Sequence, residues 1–457
     1  TIGKGVATDW NISDDGLTYT FKLRNNSHWA MFSGHKAVLG ENYEDTFDIT
    51  VKAEDFKFGI ERTLSEQTGS ADAPLFSAVK SISTPDDFTI VFNLSYADDN
   101  FLYALTNPGA MPCDEEFFNL TNGKYGLDAK YLLCNGPFHV SKWTEKTSVK
   151  LAKNNEYNGE SSVSPSSVTF YINNDDSEVA DKMNSVTYDV AFLSSSQFSS
   201  IENKKDLNSV AVQNVTYSFI FNQNDNNYRN KNMRLAFCRS CDTSSLFDSQ
   251  SDISKADGIV PPSCKIGGED YRNGNAAELL SYDETLAKKN FNDALLELGS
   301  SSVETTILCT EQYESFVKQM VQKLQKTLGV KFVSTVKVVS ESDLEAAVND
   351  GNYSVAFYPF KAKSSFAGEI IEGFDQNNIF GYESDVLSQK IRNIKNNSGS
   401  LEGERSAVAD AENYLVSEAV IMPVFYENSY FVTSKKTSGI YFYSSADNVC
   451  FINAKKS

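Results

Sequence analysis

Apolar and polar residues alternate in several short segments of the chain, which is the spacing of strands with one buried face. At 17–23 the alternation follows Asp15-Gly16, a pair that favours a tight turn. The pattern also predicts strands at 89–94, 216–221 and 353–358, and a hairpin of 136–140 with 149–151 around Trp143. The Ser/Pro-rich stretch 161–167 predicts a loop, and the C-terminal region predicts short aromatic strands.

Other segments place apolar residues three and four positions apart, as one face of a helix requires. In 52–64 the apolar positions 53, 56, 60 and 64 form one stripe, and acidic residues stand near its start. Further helices are predicted to begin near Asn232 and to span 286–298, 313–328, 343–348 and 406–418. Helices mixed with short strands indicate an α/β or α+β protein.

The charge balance narrows the classes of partner. The 457 residues carry 41 Lys+Arg against 61 Asp+Glu, a formal net charge of −20. Nucleic-acid phosphates need a positive surface, so this acidic chain without a basic cluster is predicted to bind no nucleic acid. No stretch approaches the roughly 20 consecutive apolar residues of a membrane-spanning helix. The length allows two or three domains.

Histidine is scarce, with only His28, His35 and His139. Most nucleophilic triads and zinc hydrolase sites need a positioned imidazole, and the short motifs of zinc peptidases, serine hydrolases and nucleotide-binding loops are absent. The sequence therefore predicts no catalytic residue, no metal and no cofactor. The alternative from a different class is a secreted hydrolase, which would need a carboxylate or Cys/His site that the three histidines scarcely allow.

The seven cysteines are too few for a disulfide scaffold in a chain of this length. Cys238 and Cys241 form a single CxxC motif, which follows the helix predicted near Asn232 rather than a strand. A structural disulfide or a pair of semi-buried thiols is therefore favoured over a thioredoxin-like redox site. A zinc site would need Cys264 and one further ligand.

Several segments resemble, in order and approximate spacing, blocks of the oligopeptide and dipeptide solute-binding proteins of ABC importers, the family 5 extracellular solute-binding proteins. The first is WNISDDGLTYTFKLR at 10–24, and the second is VKAEDFKFG at 51–59. The others are CNGPFHVSKW at 134–143, LAKNNEY at 151–157, NMRLAF at 232–237 and EAVIMPVFY at 418–426. Together these blocks cover nearly the whole chain.

The resemblance implies an α/β, two-lobed periplasmic-binding-protein-like fold of the class II type, with a β-rich subdomain inserted in lobe one. Lobe one would comprise 1–16, 134–215 and 431–457, the inserted subdomain 17–133, and lobe two 216–430. The chain would cross the hinge near 216 and near 426. Family members begin several dozen residues earlier, so the N-terminal part of lobe one is expected to be missing, either lost from this chain or supplied in trans. A sheet that lacks this strand exposes an edge.

The function that the resemblance implies is capture of a peptide or another small polar ligand between the two lobes, followed by delivery to the permease of an ABC importer. Such a protein performs no chemistry and needs no cofactor. It would be extracellular or periplasmic, attached to the cell envelope by a lipid anchor that a leader provides. The alternative within the fold is a degenerate member that acts as a sensor or partner-binding module.

The resemblance also implies which side chains face the ligand. By position they are Phe192, Leu193, Ser194, Tyr217, Phe219, Asn222, Phe357, Phe360, Lys361, Lys363 and Tyr426. Lys363 takes the place of an aspartate that pairs with the ligand's amino terminus in peptide-binding members. A lysine repels an ammonium and would instead hold a carboxylate or phosphate.

Each of these assignments has a structural alternative. Tyr217 and Phe219 alternate along a strand, so they share a face that can be core. Phe357 and Phe360 can be packing residues at the end of a buried strand, and the two lysines can be ordinary surface residues. The implied lobes also suggest disulfides between Cys113 and Cys134, and between Cys264 and Cys238 or Cys241, with free thiols as the alternative.

Overall fold

The structure is a computed structural model that describes residues 2–70, 72–98, 101–159, 162–172, 176–243, 246–247, 251–361, 366–375, 378–397, 400–443 and 448–457. The chain forms two compact units. Unit 1 comprises residues 1–175, 437–440 and 450–457, and unit 2 comprises residues 176–436 and 441–449. None of the helices formed by the described residues is both long and apolar enough to cross a membrane.

The boundaries of these units differ from the predicted division into lobes. Residues 17–133, the predicted inserted subdomain, lie in unit 1, but so does 134–175, which the resemblance assigns to lobe one. Residues 176–215 and 431–436 lie in unit 2 with the predicted lobe two. The two compact units therefore group the residues differently from the family pattern. The division into lobe one, inserted subdomain and lobe two stays a prediction.

Unit 1 contains a four-stranded antiparallel sheet in the order β1-β2-β4-β3. Its strands are β1 (Ala7–Ile12), β2 (Thr18–Leu23), β3 (Val79–Asp86) and β4 (Thr89–Leu94). Alternate side chains of β2 and β4, such as Tyr19, Phe21 and Phe92, are buried in one hydrophobic cluster. Unit 1 also contains a second antiparallel sheet of β5 (Phe138–Thr144), β6 (Ser148–Lys153) and β7 (Ser167–Tyr171).

The helices of unit 1 are α1 (Lys36–Leu39), α2 (Tyr43–Thr46), α3 (Ala53–Leu64), α4 (Phe101–Ala104) and α5 (Glu115–Leu120). Helix α3 begins where the carboxylate of Asp55 accepts a hydrogen bond from the Lys52 backbone N–H at 2.8 Å. Its residue Ile60 is buried in the cluster that covers the four-stranded sheet. Capping and one apolar stripe therefore place this helix on the sheet.

A second cluster in unit 1 surrounds a buried histidine. His35 is only 1% exposed, and its ring centroid lies 4.3 Å from that of Phe32 and 5.4 Å from that of Phe117. Its Nε2 lies 3.3 Å from the Leu132 carbonyl oxygen. Burial lowers the pKa of His35 from 6.5 to about 4, because the charged imidazolium loses its solvation. This histidine is therefore a neutral packing residue, as the aromatic residues around it in the sequence indicate.

Protonation of His35 is expected to destabilise unit 1 in acid. Between pH 6.5 and about 4 the unfolded chain binds the proton and the folded chain does not, so the free energy of unfolding falls as the pH falls. The loss attributable to His35 is about 3 kcal/mol across this range. Chemical denaturation of the wild type and of His35→Gln at several pH values gives the free energy of unfolding as a function of pH. The difference between the slopes of the two proteins measures the contribution of His35. Parallel slopes would contradict the assignment.

Unit 2 contains a six-stranded mixed sheet in the order β11-β17-β10-β16-β14-β15, and a three-stranded antiparallel sheet in the order β8-β18-β9. The strands of unit 2 are β8 (Val190–Ser194), β9 (Leu207–Val212), β10 (Val215–Phe221), β11 (Ile253–Lys255), β12 (Lys265–Ile266), β13 (Glu269–Asp270), β14 (Val303–Thr310), β15 (Phe332–Val339), β16 (Val355–Lys361), β17 (Ile421–Glu427) and β18 (Ser429–Ser434). The C-terminal strands are β19 (Thr437–Ser438), β20 (Tyr441–Tyr443), β21 (Asn448–Cys450) and β22 (Lys455–Lys456).

Helices cover both faces of the six-stranded sheet, as in other α/β folds with parallel strands. The helices of unit 2 are α6 (Asp176–Asn184), α7 (Ser195–Ser200), α8 (Asn226–Arg229), α9 (Lys231–Arg239), α10 (Glu284–Leu298), α11 (Glu314–Leu328), α12 (Glu341–Asn349), α13 (Gly368–Glu372), α14 (Asp385–Asn396) and α15 (Leu401–Ser417), of which α8 to α15 pack on the six-stranded sheet. Phe219 and Phe221 of β10 pack with α9, α10 and α11, whereas Ile220 between them packs with α12 to α15. Helices α6 and α7 contribute to the separate cluster of the three-stranded sheet.

The disulfides that the resemblance suggested are absent, because all seven cysteines, which lie within the described residues, are free thiols. Cys238 and Cys241 belong to the cluster on one face of the six-stranded sheet, whereas Cys264 belongs to the cluster on the opposite face. The sheet therefore separates the predicted partners. Cys113 instead accepts a hydrogen bond from the guanidinium of Arg62 at 3.5 Å.

Candidate functional site

The strand directions of unit 2 create one edge where several chain ends meet. Strands β14, β15 and β16 are parallel, and β10 is antiparallel to both β16 and β17. Strands β14, β15, β16 and β17 therefore all end at the same edge of the six-stranded sheet, which we call the carboxyl edge. In α/β sheets ligands bind outside the carboxyl ends of the strands, so this edge is the candidate functional site.

Two tyrosines and a glutamate form a polar group at the carboxyl edge. The Tyr313 hydroxyl, in the turn after β14, donates to Oε1 of Glu427, the last residue of β17, at 3.0 Å. The ring centroid of Tyr217, near the start of β10, lies 4.4 Å from that of Tyr313. Tyr217 and Glu427 are each half-buried. We call these three residues the edge triad.

The electrostatics of the edge triad keep both tyrosines neutral. Burial raises the pKa of Tyr217 and of Tyr313 well above the ordinary value, and the negative charge of Glu427 raises both further. Each hydroxyl is therefore a hydrogen-bond donor at physiological pH. A half-buried carboxylate beside two tyrosines is an arrangement that can receive a ligand ammonium group through charge attraction.

Two chain segments cross between the sheets of unit 2 beside this edge. Residues 213–214 join β9 to β10, and Asn428 joins β17 to β18. Nε2 of Gln213 donates to Oδ1 of Asn428 at 2.7 Å and to Oγ of Ser254 at 2.9 Å. The Ser254 hydroxyl also donates to Asn428 Oδ1, at 3.0 Å. These two segments are thus adjacent and connected by side-chain hydrogen bonds, and the hinge crossings near 216 and 426 that the resemblance implies stay a prediction.

The structure brings only some of the predicted site residues to the carboxyl edge. Tyr217 lies there, and Lys361, the exposed last residue of β16, pairs in register with Val215. Ser194 caps α7 by accepting a hydrogen bond from the Gln197 N–H at 3.2 Å. It lies beside the crossing segments, because its register partner in β18 follows Asn428 directly. Lys363 lies outside the described residues, so its role stays a prediction.

Other predicted site residues are buried and serve packing or hydrogen bonding. Phe219 and Phe357 are at most 1% exposed and lie in the core beneath α9 to α11. Phe360 is half-buried and packs against the Phe374 and Phe380 rings, with centroid distances of 5.7 and 5.8 Å. These contacts match the packing alternative that the sequence left open for all three residues.

Asn222 and Tyr426 are also engaged within unit 2. Asn222 directly follows β10 at the end away from Tyr217, and the rise of an extended strand separates the two residues by about 17 Å. The Asn222 side chain donates to the carbonyl oxygens of Gly351 and Tyr353 at 2.8 and 2.7 Å. It therefore connects β10 to the loop before β16. Tyr426 is 3% exposed, and its hydroxyl accepts from the Asp257 N–H at 3.1 Å.

Phe192 and Leu193 belong to the three-stranded sheet. Phe192 is 43% exposed, and its ring contacts those of Phe431 and Phe442 with centroid distances of 5.2 and 5.5 Å. Leu193 points to the opposite face, where it is 1% exposed and packs in the cluster with Met183 of α6. Of this pair, Phe192 alone therefore offers surface to a ligand.

Tyr313, Glu427, Gln213 and Asn428 are functional candidates that the sequence analysis did not identify. The available signal was that polar residues at 427–428 directly follow the apolar block 418–426 of the family resemblance. Because carboxyl ends of parallel strands share one edge, such residues are expected to lie together once the strand directions are known. The described residues contain no cluster of three or more His, Cys, Asp or Glu side chains that could hold a metal ion.

Solved structures with the same fold include the substrate-binding domain of a transporter and a protein bound to peptide. The substrate-binding domain of an oligopeptide ABC transporter from Bacillus anthracis gives a TM-score of 0.76 at 20% identity, covering 99% of this chain and 90% of that one. Listeria monocytogenes OppA bound to peptide gives 0.75 at 21% identity, with the same coverages. These similarities define the class: the chain has the α/β fold of the two-lobed periplasmic binding proteins, as the sequence predicted.

The chain matches the family of bacterial extracellular solute-binding proteins, family 5, middle part, over residues 1–380. It belongs to this family. The dipeptide-binding protein DppE of Bacillus subtilis is 23% identical over 458 residues, which are 95% of this chain and 80% of DppE. The oligopeptide-binding protein AliB of Streptococcus pneumoniae is 26% identical over 63% of this chain and only 50% of its own length. These relatives are binding proteins rather than enzymes.

Proposed function

We propose that this protein binds short peptides at the carboxyl edge of unit 2 and delivers them to the permease of an ABC importer. Membership of the solute-binding family supports this function, and relatives named for dipeptides and oligopeptides support the ligand class. The observation that carries the site is the edge triad, a half-buried carboxylate beside two tyrosines at the edge where α/β folds bind ligands.

A peptide presents opposite charges at its two ends, and the carboxyl edge offers a group for each. Glu427 is suited to the ammonium end, and Lys361 at the end of β16 to the carboxylate end. Lys363, two residues beyond Lys361, stays part of the proposal as a second anion-binding lysine. In this arrangement Glu427 binds the amino terminus of the peptide, a role that the aspartate replaced by Lys363 has in peptide-binding members.

The variant Glu427→Gln is expected to bind peptides with a free amino terminus about tenfold more weakly than the wild type, because a charge-assisted hydrogen bond is lost. Peptides with an acetylated amino terminus should bind both proteins equally. Isothermal titration calorimetry with matched free and acetylated peptides, on protein freed of bound ligand by unfolding and refolding, measures the difference.

The matched control is Glu304→Gln, which removes an exposed carboxylate near the opposite end of the same sheet. It should leave both affinities unchanged. Equal loss of affinity for free and acetylated peptides in Glu427→Gln would contradict the ammonium role while leaving the peptide-binding function intact. Absence of binding by every peptide in the wild type would contradict the function itself.

We propose further that the protein acts outside the cytoplasm and is held at the cell envelope by a lipid anchor. The family description, which is of extracellular proteins, supports the location. Protease added to intact cells or spheroplasts should degrade the protein, and deletion of its gene should reduce uptake of labelled peptides. A detergent phase partition tests the anchor, because a lipid-modified protein enters the detergent phase. Recovery in the aqueous phase would contradict the anchor alone.

A further inference from the structure

Unit 2 contains a cavity apart from the edge triad. Its volume is about 210 Å³, and it lies at the end of α9, between β11, the segment before α10 and the first half of β17. The residues of β17 that line it are Ile421 to Val424, whereas Glu427 of the edge triad ends that strand. We call this space the α9 cavity.

One part of the wall of the α9 cavity is apolar. Leu279, Leu280 and Met422 line it, together with Val416 and Val424. Leu280 contacts the hydrophobic clusters on both faces of the sheet, so the cavity lies where these two clusters meet. An apolar side chain of a ligand would therefore be surrounded by aliphatic groups and a thioether.

The two thiols of the CxxC motif also line the α9 cavity. Cys238 and Cys241 are 2% and 4% exposed. Burial raises the pKa of each thiol to about 12, so both are uncharged at physiological pH and act as small apolar groups. The motif thus forms part of the cavity wall, where the reactivity of its thiols can report whether the cavity is occupied.

The rim of the α9 cavity carries one positive and one negative side chain. Lys255, at the end of β11, and Asp242, after the CxxC motif, are both exposed and both line the opening. The hydroxyl groups of Ser281 and Thr243 line it as well. A space with an apolar wall on one side and a cation and an anion at its rim is complementary to an apolar side chain attached to a carboxylate and an ammonium group.

The volume of the α9 cavity limits the size of a ligand with an apolar side chain, a carboxylate and an ammonium group. An apolar cavity of about 150 Å³ accommodates benzene, so about 210 Å³ has room for a branched four-carbon side chain with the α-carbon groups at the mouth. We propose that the α9 cavity binds a free apolar α-amino acid of the size of leucine, at a site separate from the carboxyl edge. This inference stands whether or not the protein binds peptides.

The direct test is calorimetric titration of L-leucine into ligand-free protein. Saturable binding of one leucine per chain is expected. Two analogues separate the charges: 4-methylpentanoate lacks the ammonium group, and isopentylamine lacks the carboxylate. Each should bind about tenfold more weakly than leucine, because each loses one charged contact. No saturable binding of leucine up to ~10 mM would overturn the proposal, since that is weaker than specific small-ligand affinities.

Variants locate the bound leucine. Leu280→Trp should abolish binding by filling the cavity, and Lys255→Gln, at an exposed position that folding tolerates, should weaken it about tenfold. The matched control is Lys337→Gln, an exposed lysine of β15 at the opposite side of the sheet, which should bind like the wild type. Wild-type affinity in both Leu280→Trp and Lys255→Gln would overturn the proposal.

The reactivity of the CxxC thiols shows whether leucine occupies the α9 cavity, because leucine bound at another site would not change it. Leucine should slow modification of Cys238 and Cys241 by a small thiol reagent such as methyl methanethiosulfonate, followed by mass spectrometry of digested protein. It should leave the rate at half-exposed Cys450 unchanged. A peptide that saturates the carboxyl edge should not displace leucine. Displacement by the peptide, with unprotected CxxC thiols, would place leucine at the carboxyl edge and overturn the proposal.

Discussion

The variant Glu412→Gln is expected to lose about 3–5 kcal/mol of the free energy of unfolding of unit 2, because it breaks a buried ion pair on one side. Glu412 of α15 is 1% exposed. Its Oε1 accepts from the Ile259 and Val260 N–H groups at 2.7 and 2.9 Å, and its Oε2 accepts from Nη1 of Arg272 at 2.9 Å. A second Arg272 nitrogen binds Oε1.

The hydrogen bonds and ion pair of Glu412 explain why the loss of this one carboxylate should lower the free energy of unfolding so strongly. Glutamine would leave the Arg272 guanidinium buried without a countercharge and would direct an N–H group at other donors. Chemical denaturation of purified wild type and variant measures the loss. Glu402→Gln, an exposed change at the start of the same helix, is the control and should cost less than about 1 kcal/mol. A loss below about 1 kcal/mol for Glu412→Gln would contradict this account of the ion pair.

A double variant separates the charge from the packing. In Glu412→Leu with Arg272→Met no buried charge is left uncompensated, so part of the lost stability should return relative to Glu412→Gln. The two backbone N–H groups of Ile259 and Val260 then lack their acceptor, so recovery should be incomplete. Greater loss in the double variant than in the single one would show that hydrogen bonding to the backbone, rather than the ion pair, dominates.

The variant Phe357→Ala is expected to destabilise unit 2 by about 3–5 kcal/mol, because it leaves a cavity in the core. Phe357 of β16 is 1% exposed. Its ring centroid lies 4.9 Å from that of Phe219 and 5.5 Å from those of Tyr217 and Phe425. The conservative change Phe357→Leu keeps most of the volume and should cost less than about 1.5 kcal/mol.

This prediction decides between the two interpretations of Phe357 that the sequence left open. If Phe357 packs, the stability falls, and the peptide affinity of the Phe357→Leu protein stays near the wild-type value. Denaturation curves and calorimetric titration of the same samples measure both quantities. Wild-type stability together with a large loss of peptide affinity would show that Phe357 faces the ligand and would contradict its place in the core.

The secondary structure was largely predictable because local signals agreed with the tertiary environment. The stripe at 53, 56, 60 and 64 predicts a helix over 52–64, and the helix spans Ala53–Leu64. Strand Thr89–Leu94 has the predicted bounds. The helix predicted over 286–298 spans Glu284–Leu298. Most of the apolar residues in these segments are buried or half-buried against a sheet or a neighbouring helix, although Leu286 and Leu296 are exposed.

The parallel strands Val303–Thr310 and Phe332–Val339 were not predicted. Parallel pairs join segments far apart in sequence, so no turn signal marks them. Val303–Thr310 also departs from strict alternation near its end, where Ile307, Leu308 and Cys309 are all buried. Without these strands the direction of the sheet, and therefore the carboxyl edge, could not be derived from local patterns.

Only part of the candidate site at the carboxyl edge could be derived from the sequence. A positional match to a family does not say which way a side chain points. The match points to the ends of β10, β16 and β17, where Tyr217 and Lys361 lie, and the role of these two residues in binding stays a prediction. It could not reveal that Tyr313, from the turn after β14, meets Glu427. Disulfide pairing was wrong for a similar reason, because sequence order did not reveal that the sheet separates Cys264 from Cys238.

The most direct test of the peptide-binding function is native mass spectrometry of the protein purified without denaturation from its own host. We expect the protein to carry additional small masses, and we expect fragmentation of these masses to identify short peptides with free amino termini. Addition of such a peptide to the stripped protein should restore the complex. A protein that is recovered alone, and that neither binds nor is thermally stabilised by any member of a peptide library, would contradict the account.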